Sequence, residues 1–464
     1  MTRSFSEKLK ISFMIILIIS IIIRGFLVWQ TRNNSLYFPD EKEYVKLAEN
    51  IKNGLGFSYH GKLTSFRPPL YPLFLAIFNY LDSENTIILV RVTQCLLNLF
   101  TGIFVFLITI RFAQYRIALL SMMFFFFNGE LLGMCLIIFG ETLFIFLFIL
   151  GFYFLTVFLD SDRKLFLILS GISFTLSALV RDISFYFLIP LAAYLIYRAP
   201  KVLSLKQRFF RGGMLILTML IVILPWVIRN YKVHKEVMFT STVGALNIYY
   251  SHNDNTPLMR AEEMWQHLSI NDSTYYYDAV FKELPINTEM EKKREAMRLG
   301  LEYIIQNPMM TLKRAFFRIL DFLSVDRIVT NQLINGWFGT ENRNILLFSV
   351  FYIFLSYTTV VIGSVYGYLF YTIHPYKLII FGWICINILL HSIVASHPRY
   401  HLPLMPFLSI SCAYAIVNIK YIWNLKRSRR FIIGLVVSLV LISIWSFELL
   451  YFDIDKIKWF FNKL

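Results

Sequence analysis

The chain has 464 residues, of which 57% are hydrophobic and only 16% charged, with a mean hydropathy of +0.60. An average soluble chain carries about 25% charged residues, and a soluble fold could not cover this much apolar surface, so the composition excludes a water-soluble protein and points to a helical bundle in lipid. The net charge of +16 (45 Lys and Arg against 29 Asp and Glu) would suit nucleic-acid binding, but the basic residues cluster in short loops between apolar runs, where they set topology instead.

Apolar runs fall at about 11–30, 86–110, 117–128, 135–158, 165–180, 183–197, 212–228, 345–372, 378–395, 402–419 and 431–451. The expectation is an all-α polytopic membrane protein with about eleven transmembrane helices. Several runs are shorter than the roughly 20 residues that a bilayer needs, so one or two tilt, break or thin the membrane locally. The first run, Ile11 to Trp29, is too long for a signal-peptide core and lacks a small-residue cleavage site, so it reads as a retained anchor. Cys95, Cys135, Cys385 and Cys412 all lie in apolar runs without metal-ligand spacing, which predicts buried small-residue roles.

Placing the N-terminus with Arg3, Lys8 and Lys10 in the cytoplasm sends alternate loops inside. The two richest basic clusters, Arg198 to Arg211 and Lys420 to Arg430, then fall on the same inner face, as the positive-inside rule requires. Three regions follow: an N-terminal transmembrane half over 1–228 with a first external loop at 31–85, an external and mainly helical segment at 229–343, and C-terminal transmembrane helices over 344–464. The external segment contains a helical pattern from Glu291 to Gln306. A second amphipathic helix is expected after Asn307-Pro308, with Ala315, Phe316, Ile319 and Phe322 on one stripe. Lys313, Arg314 and Arg318 suggest that this helix lies on the membrane surface.

The first external loop carries the densest chemistry. In Pro39-Asp40-Glu41-Lys42-Glu43-Tyr44, the helical spacing of Tyr44, Leu47, Ala48 and Ile51 predicts a short helix that stops at Gly54. Asp40 stands where an N-cap belongs, with Glu43 as its capping-box partner. A carboxylate at a helix N-terminus is also held ionised, and at the membrane boundary it can accept a proton from an attacking hydroxyl. Both readings of Asp40, as cap and as base, stand on the sequence.

The order of motifs resembles the lipid-phosphosugar-dependent GT-C glycosyltransferases, in particular the protein O-mannosyltransferase and aminoarabinose transferase superfamily and its bacterial Rgt-like branch. The resemblance rests on Asp-Glu-x-x-Tyr from Asp40 to Tyr44, Arg67-Pro68-Pro69-Leu70-Tyr71-Pro72 and Gly140-Glu141-Thr142-Leu143-Phe144. It continues through Leu179-Val180-Arg181, Pro225-Trp226-Val227-Ile228-Arg229-Asn230-Tyr231, Ser241 to Asn247, and Arg399-Tyr400-His401-Leu402-Pro403. One departure is Asp182 after Arg181, where relatives often have proline.

What the resemblance implies is inverting transfer of a sugar from a polyprenyl-phosphate donor to a lipid, glycan or protein acceptor on the external face of a cell inner (plasma) membrane. Asp40 and Glu41 would be catalytic, with Asp40 the general base. Arg67, Arg399, Arg229 and Arg24 would bind the donor phosphate, and Glu141, Tyr44, Tyr71, Tyr400 and Arg181 would support the substrate site. Arg24, inside an apolar run, needs a carboxylate partner, for which Glu141 is the candidate.

His397 and His401 have i, i+4 spacing, but Pro398 interrupts the helix between them and no further ligand stands beside them, so no metal site is assigned. No cofactor is required by the sequence, although a divalent cation is compatible with the family. Asn271-Asp272-Ser273 matches a glycosylation acceptor. Alternative classes are a transporter or flippase of lipid-linked saccharides, expected to show repeats and midplane charges, and an O-antigen polymerase or ligase relying on external Arg and His.

Overall fold

The computed structural model describes residues 2–197, 204–260, 288–325, 327–339, 342–371 and 375–452, with positions 454 and 458. The glycosylation motif at Asn271 lies outside the described residues. The chain is a polytopic bundle of helices. The apolar run near the N-terminus forms α1 (Thr2–Thr31), whose Ile11, Ile15, Ile18, Ile22, Phe26 and Trp29 remain about half exposed or more. These residues recur at three- and four-residue intervals along one stripe, the surface that lipid covers.

Two helices of the first loop follow, α2 (Pro39–Lys52) and α3 (Leu70–Leu81). Then come α4 (Thr86–Thr109), α5 (Tyr115–Phe126), the short α6 (Gly129–Met134), α7 (Glu141–Ser161), α8 (Lys164–Ala178), α9 (Ile183–Tyr197) and α10 (Leu205–His234). The segment after α10 contributes α11 (Val243–Ser251), α12 (Glu289–Gln306), α13 (Pro308–Phe322) and α14 (Arg327–Ile334). The C-terminal part adds α15 (Arg343–Phe370), α16 (Pro375–Ile393), a 3-10 helix (Pro398–Leu404), α17 (Met405–Val417), α18 (Ile419–Asn424) and α19 (Arg429–Phe447).

Among the described residues eight helical stretches are long and apolar enough to cross a membrane. The other three of the eleven expected runs form shorter apolar helices, α5 with 12 residues and α8 and α9 with 15 each. At 1.5 Å per residue these reach only about 18–23 Å, less than a hydrocarbon core of about 30 Å. They are packed by neighbours, α8 against α7 and α10, and α9 against α10.

The run expected as a span from 135 is not helical until Glu141. Buried side chains take up the carbonyls left free there. Arg91 Nε donates to the Leu136 carbonyl at 3.0 Å, and Gln94 Nε2 donates to those of Cys135 and Ile137 at 3.0 and 2.8 Å. An unwound segment inside an apolar bundle is tolerated only when its backbone groups are satisfied in this way.

In the first loop, β1 (Ser58–Tyr59) and β2 (Lys62–Leu63) pair antiparallel around a two-residue turn. His60 and Gly61 both have positive φ, 47° and 74°, the geometry of a type I′ hairpin. Asn50 Nδ2 of α2 donates to the Ser58 carbonyl at 2.7 Å and fixes this hairpin against the helix.

The helix after Asn307-Pro308 forms as expected, but its faces are reversed. Arg314 and Arg318 are each only 3% exposed and donate to backbone carbonyls of Asn253, Thr256 and Ile393. Met309, Leu312 and Phe316 face outward instead. The arginines therefore tie α13 to α11 and the end of α16, and they do not extend toward headgroups.

Helix α15 packs on α17 at its glycines. A Cβ placed on Gly367 would run into the backbone carbonyl of Ser411. Because backbone cannot swing aside, Gly367→Ala is expected to destabilise the bundle by about 1–3 kcal/mol. Thermal unfolding in detergent should show this loss, whereas Gly213→Ala, with open space around it, should not.

Candidate active site

The first turn of α2 organises the site. Phe38 is its N-cap and Pro39 its first helical residue, so Asp40 lies one position inside the helix instead of capping it. The capping-box partner is Glu41, and not Glu43 as expected. Glu41 Oε2 accepts the N–H groups of Tyr37 and Phe38 at 2.8 and 2.9 Å, and its Oε1 accepts that of Ile138 at 2.9 Å. Three backbone donors occupy this fully buried carboxylate. Its place is structural, which corrects its expected catalytic role: no atom of it faces an open site.

Relieved of capping, Asp40 and Glu43 turn to Arg67. Arg67 Nη2 donates to Asp40 Oδ1 at 2.8 Å, while its Nε and Nη2 grip Glu43 Oε2 at 3.0 and 2.6 Å. On the other side of Asp40, Arg399 Nη2 donates to Oδ2 at 3.2 Å. Arg399 Nε lies 3.7 Å from Glu141 Oε1, which in turn accepts from Arg181 Nη1 at 2.5 Å.

The six residues form a row of alternating charge: Glu43, Arg67, Asp40, Arg399, Glu141, Arg181. Five separate segments supply them, namely α2, the Arg67-Pro68-Pro69 entry to α3, the 3-10 helix, the start of α7 and the turn after α8. Glu43 and Glu141 are nearly closed off, at 6% and 5% side-chain exposure. Asp40 and Arg181 keep 21% and 23%, so the open part of the row is Asp40 with the cations beside it.

Aromatic rings hold the guanidinium groups in place. Arg67 lies over Tyr44 at 5.3 Å, and Arg181 and Arg399 lie over Tyr400 at 4.7 and 5.4 Å. Tyr71 packs edge-on to Tyr44 at 4.9 Å, and its hydroxyl donates to Gln94 Oε1 at 2.8 Å.

Burial opposes the charge on Asp40, but the two arginines outweigh it and hold the carboxyl down to about 2. Asp40 is thus ionised throughout the physiological range. Its clamp contributes stability above its ordinary value of 3.8, and that stability is lost as the pH falls toward about 2. Burial raises Glu43 and pushes Tyr44 up to about 12. Asp182 is raised to about 6 by burial, while its Oδ2 accepts from Ser241 Oγ at 2.7 Å. The proline-to-aspartate departure thereby links this turn to the segment after α10.

Two expected members of the phosphate site stand elsewhere. Arg24 is 1% exposed inside the bundle, where it donates to Ser20, to Asn98 Oδ1 at 2.5 Å and to the Phe126 carbonyl at 3.1 Å. Its partners are neutral, and Glu141, expected to pair with it, is taken by Arg181. Arg229 donates to Ser65 Oγ at 2.7 Å and the Phe57 carbonyl at 2.9 Å, against the Trp226 ring. It braces the base of the first loop.

Glu289, which the sequence reading did not single out, joins this brace by accepting from Ser65 N at 3.1 Å and Thr242 Oγ1 at 2.7 Å. Nothing local in the sequence could have revealed a partner 224 residues away. The Glu130–His401 pair was also not anticipated. Nε2 of His401 is 3.0 Å from Glu130 and its Nδ1 is 2.9 Å from the Phe322 carbonyl, anchoring the helix that carries Arg399.

Among the described residues no three His, Cys, Asp or Glu side chains gather as metal ligands. Asp40, Glu43 and Glu141 are each engaged by arginine, a donor set that fits a resident metal ion poorly.

Comparison with known proteins bears on this arrangement. Residues 66–228 match the family model of dolichyl-phosphate-mannose-protein mannosyltransferase. The apo oligosaccharyltransferase of Archaeoglobus fulgidus superposes with a TM-score of 0.50 at 12% identity, over 93% of this chain and 55% of that one. The chain has the GT-C fold.

The same oligosaccharyltransferase tethered with an acceptor peptide containing the NVT sequon is similar with a TM-score of 0.48 and 14% identity, over 93% of this chain and 54% of that one. ArnT from Cupriavidus metallidurans bound to undecaprenyl phosphate is similar with a TM-score of 0.41 and 10% identity, over 89% of this chain and 80% of that one. The chain spans about half the length of the oligosaccharyltransferase. A search of curated protein sequences finds no match.

The two acidic neighbours in the motif are separable by experiment. Glu41→Gln would turn an NH2 group toward backbone donors and is expected to cost about 1–3 kcal/mol of stability. Asp40→Asn removes the charge that Arg67 and Arg399 clamp, so its melting temperature should fall as well, by an amount that shrinks as the pH is lowered toward about 2.

Proposed function

We propose that this chain is an inverting glycosyltransferase that moves a sugar from a polyprenyl-phosphate donor to an acceptor hydroxyl at the membrane boundary. The observation that carries the reading is Asp40, ionised and partly open, held between Arg67 and Arg399 in the alternating row. The site faces the external side of an inner or plasma membrane, with the N-terminus cytoplasmic. The division proposed is a catalytic half over 1–228, an external acceptor-selecting segment over 229–343, and C-terminal helices over 344–464.

In this mechanism the lipid tail lies along the bundle and the phosphate meets Arg399 and Arg181, whose donors are the more accessible end of the row. Asp40 takes the proton of the acceptor hydroxyl. The freed oxygen attacks the anomeric carbon while the bond to the phosphate oxygen breaks, and the electron pair leaves with polyprenyl phosphate. The two arginines stabilise the charge that develops there. A single displacement inverts the anomeric configuration and needs no enzyme nucleophile.

Charge balance couples the two substrates. A carboxylate held near 2 is a weak base. A donor phosphate drawing Arg399 toward itself would leave Asp40 with Arg67 alone, which Glu43 already shares. Asp40 therefore becomes more basic once the donor is in place.

Two measurements test the reading. In reconstituted membranes, Asp40→Asn should lower transfer by about 10²–10⁴-fold; full activity would exclude Asp40 as the base. Asp40 should leave no inflection in kcat/KM between pH 5 and 8, because in the donor-free protein it is already ionised.

A further inference from the structure

Helix α13 turns its two arginines inward and a row of large apolar side chains outward. Met309, Leu312 and Phe316 are 76%, 65% and 59% exposed, and their three- and four-residue spacing puts them on one stripe. Arg314 and Arg318 lie about half a turn round the helix from that stripe, bound to the carbonyls of Asn253, Thr256 and Ile393. Ile305, 78% exposed at the end of α12, extends the apolar surface across the Asn307-Pro308 elbow. The stripe itself carries no charged residue. Lys313 stands at its edge, where a long stem carries the ammonium toward a headgroup.

The far end of α13 shows what environment the stripe meets. Trp445 Nε1 of α19 donates to the Leu323 carbonyl, just past α13, at 2.8 Å. Trp445 stands 15 residues beyond Arg430 in the basic cluster that opens α19, about 22 Å along a helix rising 1.5 Å per residue. Those arginines mark one membrane boundary, and a hydrocarbon core about 30 Å thick still continues at that distance.

The end of α13 therefore docks on α19 at lipid depth. There Leu320 of α13 lines an open apolar groove of about 410 Å³ with Val436, Val440, Ile444 and Phe447 of α19. Ile442, on the same stretch of α19 but outside the groove, is 45% exposed, as a lipid-facing residue of a span is. Through Leu320 the stripe is continuous with the lipid-facing surface of a spanning helix.

We propose that α13 is immersed in the leaflet on the active-site side, with its stripe and the groove beside α19 packed against lipid chains. A helix can lie at that depth because its backbone groups are met internally, and its two arginines are met by carbonyls on the protein side. This immersion does not depend on which reaction the charged row performs, yet it bears on the row. Phe322, at the end of α13, stacks on His391 at 5.5 Å, and His391 stacks on Tyr400 at 4.6 Å. Arg181 and Arg399 lie over that same Tyr400 ring. The depth of α13 thus sets the level at which these two guanidinium groups meet the membrane boundary.

Nitroxide labels on single cysteines test the proposal in the full chain, held in nanodiscs of zwitterionic lipid, by power saturation against oxygen and a water-soluble nickel chelate. Cys385→Ala removes the exposed native thiol, and the other three are buried. Labels at Leu312→Cys and Phe316→Cys should be relaxed by oxygen as strongly as one at Ile442→Cys on α19. Nickel should relax them about fivefold less, or lower still, than a label at the exposed Glu302→Cys on α12, because the chelate does not enter hydrocarbon.

Nickel access at 312 and 316 equal to that at 302 would put the stripe in water and overturn the proposal. Shielding from both reagents would overturn it as well, since a protein surface or a second copy of the chain would then cover the helix. Each label replaces an exposed side chain, so the face that carries Arg314 and Arg318 is left intact in every variant.

Discussion

The arrangement around Asp40 depends on one constraint: two buried carboxylates and one partly open one must share three arginines. Breaking a buried pair by removing a partner typically costs about 3–5 kcal/mol, because a charge is left without compensation. The alternating row avoids that state by giving every charge an opposite neighbour. Since its six members come from five segments, the row can form only when the first loop, the starts of two helices and the late 3-10 turn are docked together. Electrostatic neutrality and tertiary assembly are the same event here.

The supports of the row follow a similar logic on a smaller scale. Glu41 satisfies the end of α2, which leaves Asp40 and Glu43 free for Arg67. Arg91 and Gln94 satisfy the unwound stretch before Glu141 and so set the depth at which α7 begins. The Glu130–His401 contact anchors the 3-10 helix behind Arg399. Arg229 and Glu289 meet at Ser65, just before Arg67. Glu41, Arg91, Gln94, Glu130 and His401 are buried, where an unmet hydrogen bond is expensive, Arg229 and Glu289 are partly so, and each is met by a partner near a member of the row.

Two groups of arginine among the described residues differ in what neutralises them. Arg24, Arg314 and Arg318 are neutralised by dipoles, namely carbonyl, hydroxyl and amide oxygens, and they act as staples between helices. Arg67, Arg181 and Arg399 meet carboxylates and rings and retain some exposure. Of these six arginines, a phosphate approaching the surface can reach only the second kind.

Composition and apolar periodicity alone determine that this chain lives in a bilayer as a bundle of helices, because hydropathy is a local property that no folding can change. The short helix beginning at Pro39 and the one beginning at Pro308 are legible for the same reason: caps and prolines act on their own neighbours. The motif order marks Asp40, Arg67, Glu141, Arg181 and Arg399 as residues of interest.

What the sequence does not contain is who pairs with whom. The capping role belonged to Glu41 and not to Glu43, and Glu141 found Arg181 instead of Arg24. The arginines of α13 turned inward, and three apolar runs formed helices of only 12 to 15 residues. Each of these was settled by packing between segments tens to hundreds of residues apart. Pairing of buried charges is decided by distance and desolvation, and those quantities exist only once the helices have met.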